Sequence, residues 1–196
     1  WFSVPRGFHS APFDLTIAAA TPGAQIRYTL DGSAPGQTAG AVYTAALRIT
    51  GTTVVRAVAL SGNGQSVIVT HSYLFVPQIK NQPHDAPSCP AAFAAPDDYS
   101  PNGGADPYPA DCEMDPAIVT HANYAGAIEG ALRALPALSL VADPGNLWDA
   151  DYGIYYNPNE KDGVPGSRPD PLNKKWERPI SLEWIDPNGG PGFFEN

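Results

Sequence analysis

The chain has 196 residues, enough for one large domain or two small ones, and 43% of them are hydrophobic, so a sizeable core can be buried. Only 16% are charged, against 22 Pro and 19 Gly, which points to short strands, turns and ordered loops rather than a helical bundle. With 11 basic and 20 acidic residues and a net charge of −9, the balance argues against a nucleic-acid or anionic-membrane partner; no run of about 18 apolar residues offers membrane insertion.

Residues 1–75 read as all-β. Phe13, Leu15 and Ile17 share one face of APFDLTI; Ile26, Tyr28 and Leu30 share one face of AQIRYTL. Leu47 and Ile49 follow, then TTVVRAVAL and QSVIVTHSYLF, with TPG, LDGSAPG and SGNG as turns between the runs. About six or seven short strands at this spacing predict an immunoglobulin-like β-sandwich. Residues 76–114 are crowded with Pro, Asp, Gly and Asn and read as an irregular ordered linker. Its two cysteines, Cys89 and Cys112, are expected to pair in an oxidising compartment.

Residues 115–196 predict a partial α+β unit. Asp115 and Pro116 suit the N-cap and first position of a helix. A second helical stripe carries Tyr124, Ile128, Ala131, Leu132 and Leu135 and stops at Pro136. PALSLVAD reads as a buried strand, and GIYYN as a short strand within a loop. The last strand, ERPISLEWID, places Ile180, Leu182 and Trp184 on one face and Ser181, Glu183 and Ile185 on the other. It is expected to pair with 137–142, leaving its other edge exposed or covered from elsewhere. DPNGGPG is a turn.

Candidate chemistry is sparse. There is no phosphate-binding glycine loop followed by Lys, no G-x-S-x-G elbow, and no zinc spacing among His9, His71, His84, His121 and the cysteines. Glu177 and Glu183, six positions apart, can share one strand face, which reads as a solvated face rather than a carboxylate pair. Asp143, Asn146, Asp149 and Asp151 offer hard oxygen ligands suited to Ca²⁺, the single cofactor candidate; turn and helix capping is their ordinary use. A second acidic group, Asp106, Asp111, Glu113 and Asp115, lies in and beside the linker. Trp148, Tyr152, Tyr155, Tyr156 and Trp176 form the core of a small unit or, through Trp148, Tyr155 and Trp176, a platform for sugar rings.

SVPRGFHSAPFDLTI, TPGAQIRYTLDGSAP, TTVVRAVAL and THSYLF resemble the chitobiase/β-hexosaminidase C-terminal-type domain, an immunoglobulin-like accessory module of large secreted bacterial proteins. The resemblance covers residues 1–75 and implies no catalysis. EMDPAIV, LPALSLVADPGNLWDADYGIYYNP and KKWERPISLEWIDPNGGPGFF resemble the N-terminal part of a CotH-kinase-type domain over residues 110–196. That family's nucleotide-binding residues lie beyond the matching stretch, so no catalytic residue carries over. Cys112 departs from the pattern, where an aromatic is expected, and fits a locally added disulfide.

These readings converge on a non-catalytic structural or accessory segment, processed or excised from a larger bacterial protein. The setting is extracellular or cell-surface, with the periplasm as the alternative. The expected partners are neighbouring domains of the same polypeptide, other surface proteins, or a polysaccharide. The competing readings are the N-terminal portion of a secreted CotH-type kinase and a carbohydrate-binding module.

Overall fold

The computed structural model describes residues 1–62, 64–86, 89, 92–93, 108–109, 111–149, 152–154, 177–190 and 192–195. The first strands are β1 (Gly7–Phe8), β2 (Phe13–Leu15), β3 (Gln25–Thr29), β4 (Ala41–Val42), β5 (Leu47–Ile49), β6 (Thr53–Ser61), β7 (Gly64–Gln65) and β8 (Val69–Leu74). Helix α1 (Val76–Lys80), β9 (Ala92–Phe93), β10 (Tyr108–Pro109), α2 (Pro116–Val119) and α3 (Ile128–Ala134) follow. Strand β11 (Ala137–Ala142), α4 (Pro144–Trp148), β12 (Ile180–Ile185) and β13 (Phe194–Glu195) complete the order. Contacts gather these elements into two compact units: Trp1–Gln82 with Met114–Val141 and Ile180–Asn196, and Pro83–Glu113 with Ala142–Pro179.

The first unit is built on a β-sandwich, and the protein is mainly β. One sheet runs β1-β8-β6-β3-β4, with β7 added to β6. Strand β1 lies parallel to β8, while β3, β4, β6, β7 and β8 pair antiparallel. The facing sheet is the antiparallel pair β2-β5, with Phe13 opposite Ile49 and Leu15 opposite Leu47. Period-two alternation fills the space between them. Phe2, Leu15, Ile17, Ile49, Val55, Ala57, Tyr73 and Phe75 form the buried apolar cluster, flanked by Phe13, Ile26, Tyr28 and Leu47. The faces read from APFDLTI, AQIRYTL and ALRIT are therefore the inward ones, except that Leu30 lies beyond β3 and is exposed. Strand β6 is buried on both faces: Val55 and Ala57 look into the core, while Arg56 and Val58 look the other way and are also buried.

Turn chemistry fixes the connections. Asp31 Oδ1 accepts from the Ser33 amide (3.0 Å) and from Ser33 Oγ (2.6 Å), with Gly32 at φ 83°. Gly40 has φ 84°, and a Cβ there would stand 2.6 Å from the Tyr28 carbonyl oxygen, so only glycine lets β4 close on β3.

The predicted linker is partly regular. Val76–Lys80 is helical, and Lys80 Nζ donates to the Ala125 carbonyl (3.1 Å) beside Glu129 (3.8 Å). Asp115 caps α2 as expected, its Oδ1 accepting from the Ala117 amide at 2.8 Å with Pro116 beginning the helix. Helix α3 is shorter than the predicted stripe. Ile128 is buried, but Tyr124 precedes the helix and Leu135 follows it, both exposed. Gly126, just before the helix, weakens helix propensity there, while Gly130 is accommodated within it, and Pro136 forces Leu135 into the extended region. The sheet β11-β12-β13 contains the predicted partnership of 137–142 with 180–185. The other edge of β12 is taken by β13, with Leu182 opposite Glu195 and Glu183 opposite Phe194.

In the second unit β9 pairs antiparallel with β10. Cys89 and Cys112 are disulfide-bonded, with Cα atoms 6.0 Å apart. The Cys112 amide donates to the His84 carbonyl (3.2 Å) and the Cys89 amide to the Ala86 carbonyl (2.7 Å). Helix α4 replaces part of the predicted loop. Of the predicted GIYYN strand, Gly153 and Ile154 are not in a strand, and 155–157 lie outside the described residues.

Candidate functional site

Strand β12 alternates as predicted, but its polar face is the buried one. Ser181, Glu183 and Ile185 are buried, whereas Ile180 and Trp184 are exposed. Strand β11 does the same. Leu138 and Leu140 face outward, so PALSLVAD is not a strand buried on both sides, and only Val141 is fully buried there. The reason is the surface these strands meet. Thr70 and Ser72 on β8 point away from the apolar core, because neighbouring positions on a strand point to opposite faces and Tyr73 fills that core. Hydroxyls therefore meet hydroxyls and a carboxylate.

Glu183 is 1% exposed and forms the centre of the cluster. Its Oε1 lies 2.9 Å from Arg6 Nη1. The Ser72 amide donates to Oε1 (3.3 Å) and Ser72 Oγ to Oε2 (2.5 Å). Ser72 Oγ is also 2.7 Å from Ser139 Oγ, and Thr70 Oγ1 is 2.7 Å from Ser181 Oγ. The Arg6 guanidinium covers the Phe194 ring, 4.2 Å from its centroid. Segments before β1 and from β8, β11, β12 and β13 thus contribute to one polar seam. Burial pushes the Glu183 carboxyl above its ordinary value, against the opposing pull of Ser72 and Arg6.

On the other face of β8, His71 stacks on Phe2 with ring centroids 4.2 Å apart. Its Nδ1 lies 3.3 Å from the Tyr73 hydroxyl, which donates to the Val4 carbonyl at 3.0 Å. Burial lowers His71 to about 4, with Arg6 and the amino terminus adding to the shift. His71 and Ser72 point to opposite faces, so no Ser–His–carboxylate relay forms with Glu183. The arrangement can hold charge and strand position; it presents no nucleophile to a substrate.

Sequence reasoning placed Glu183 on a solvated face together with Glu177. The structure corrects this: Glu183 is buried by its pairing with Arg6 and Ser72, and Glu177 is exposed ahead of β12. Nothing local signals that difference, since the contact joins residues 111 positions apart.

The other predicted site residues lie in turns. Asp143 Oδ1 accepts from the Gly145 amide (3.0 Å) and caps α4. The Asn146 amide donates to the Asp143 carbonyl, and the Asn146 carbonyl accepts from Ile154. Asp149 Oδ1 accepts from the Tyr152 amide at 3.3 Å. Asp151 lies outside the described residues. Asp111 Oδ1 accepts from the Glu113 amide, while Asp106 lies outside the described residues. Among the described residues no group of three or more His, Cys, Asp or Glu is placed to hold a metal. Trp148 ends α4; Tyr155, Tyr156 and Trp176 lie outside the described residues. Tyr152 is exposed, and the Arg178 guanidinium donates to its carbonyl and lies 5.8 Å from its ring centroid.

Fold and cluster together define a β-sandwich module whose one buried acid, among the described residues, serves packing. Residues 15–73, from the end of β2 into β8, match the family model described as "Fn3 associated", of fibronectin-3-associated, β-sandwich type. The match lends nothing to the chitobiase or CotH resemblances. No curated protein and no solved structure matches the chain. Among the described residues no helix is long and apolar enough to cross a membrane, and the disulfide fits an environment outside the reducing cytoplasm.

Proposed function

We propose that this chain is a non-catalytic accessory segment of a larger secreted or surface protein, presenting or spacing the domains beside it. The match of residues 15–73 to an Fn3-associated module carries the reading. Two further features support it. The buried carboxylate is spent on Arg6 and Ser72 rather than opened to a cleft, and a disulfide suits a protein folded in an oxidising compartment.

The test is ligand-induced stabilisation of the 196-residue chain. Thermal unfolding should be unchanged by Mg·ATP, and chitin, cellulose and peptidoglycan should retain none of the protein. Saturable stabilisation by Mg·ATP would overturn the non-catalytic reading. Retention on a polysaccharide would replace it with a carbohydrate-binding module.

A further inference from the structure

The apolar cluster of the first unit lies wholly within residues 2–75, and no residue of β11, β12 or β13 belongs to it. That three-stranded sheet meets β8 through Ser139, Ser181 and Glu183, with Val141 and Ile185 as its only buried apolar residues. Its apolar positions Leu138, Leu140, Ile180 and Trp184 face outward. The two faces of the large sheet are therefore held by different forces. One is closed by apolar burial. The other has few buried apolar residues, Val58 of β6 with Val141 and Ile185 of the covering sheet. It is closed mainly by hydroxyl pairs, each a modest net gain once water is displaced, and by a buried ion pair whose attraction is largely offset by desolvation.

We propose that β11, β12 and β13 form a cover that opens from the β8 face as a unit, ahead of the sandwich, and that the charge on Glu183 governs the opening. Glu183 is faced by Arg6 from the segment before β1 and by the Ser72 amide and hydroxyl from β8. Ser139 of β11 reaches it through Ser72, and Phe194 of β13 covers Arg6. The Tyr73 and His71 side chains lie on the far face of β8; Glu183 and, more weakly, Arg6 act electrostatically on Tyr73, and Arg6 acts on His71. Closed, the carboxyl is buried and takes up a proton more readily than when open to water. Closure is thus linked to proton uptake, and the cover is tighter at mildly acid than at neutral pH.

Hydrogen exchange on the full chain, read by mass spectrometry and corrected for intrinsic rates, tests this. At neutral pH, amides of 137–142 and 180–185 should be at least about tenfold less protected than those of 53–61. Protection of 137–142 and 180–185 should rise on acidification, and Glu183→Gln should raise it at neutral pH and abolish that rise, whereas any acid loss of protection in 53–61 belongs to His71. Exchange of all three stretches in step would overturn the proposal, as would a Glu183→Gln variant that responds to pH like the parent. If Glu183→Gln does not fold, Thr70→Val with Ser181→Ala replaces the hydroxyl pair by apolar groups. It should change protection of 137–142 and 180–185 together while that of 53–61 stays as in the parent, and no change, or a change of all three in step, would equally reject the idea.

Discussion

Ser72 and Glu183 stand 111 positions apart in the chain and share two hydrogen bonds, through the Ser72 amide at 3.3 Å and its hydroxyl at 2.5 Å. Removing the carboxylate leaves the Arg6 guanidinium, 17% exposed, without its counter-charge. Glu183→Ala is expected to cost about 3–5 kcal/mol of unfolding free energy. Glu183→Gln, which keeps the shape and an oxygen facing Arg6 but removes the charge whose burial is costly, should be neutral or stabilising at neutral pH. Arg6→Ala and Glu183→Ala should be less than additive in a double-mutant cycle by urea unfolding, and simple additivity would show that the pair does not act together.

Two buried groups tie stability to pH with opposite signs. The folded chain binds the Glu183 proton more tightly than the unfolded chain. That contribution is fully present below the ordinary carboxylate value and is lost as pH rises through the raised one. His71 falls from 6.5 to about 4, so its contribution is present above the ordinary histidine value and lost as pH falls through the lowered one. Its upper size is about 3 kcal/mol. Between about pH 7 and about pH 4, His71→Gln should lose less stability than the parent, and Glu183→Gln should lose more. Urea midpoints measured across that range check both; parallel curves for the parent and His71→Gln would contradict the histidine assignment.

Gln78 on α1 completes the turn between β5 and β6. Its Oε1 accepts from the Thr52 amide (2.8 Å) and its Nε2 donates to the Thr50 carbonyl (3.2 Å). A Cβ at Gly51 would fall 2.0 Å from that Oε1. Gly51→Ala should push the flexible amide aside and cost about 1–2 kcal/mol through both lost hydrogen bonds. Gln78→Ala should cost about the same, and the double variant little more than either. Full additivity in chemical unfolding would separate the two positions.

Reduction of Cys89–Cys112 should raise the intact mass by about 2 Da and lower stability by about 2–4 kcal/mol, with the loss concentrated in the second unit. Proteolysis mapped under reducing and non-reducing conditions checks the location: new cleavage should appear within 83–113 before any within 53–61.

Much of the fold was legible because alternation and capping are local. Phe13, Leu15 and Ile17 face one way for reasons contained in a few residues, and Asp115 with Pro116 starts a helix unaided. The pairing of 137–142 with 180–185 was also legible from their apolar runs. What alternation cannot say is which face turns inward. Ile180, Leu182 and Trp184 are the more hydrophobic set, yet Ser181 and Glu183 are buried, because Thr70, Ser72 and Arg6 lie opposite. The ends of α3 depend on more than the stripe from Tyr124 to Leu135: Gly126 lies just before its start and Pro136 sets its end, while Gly130 stays helical.

The hydroxyls of Thr70 and Ser72 also bear on how the protein is made. A ribosome releases the stretch that builds the sandwich long before β12 emerges, and domains fold in that order. The sandwich can close over Phe2, Leu15 and Tyr73 while the opposite face of β8 still waits for Glu183. An apolar face kept waiting would stick to other nascent chains. A face of alcohol groups stays hydrated until its partner arrives.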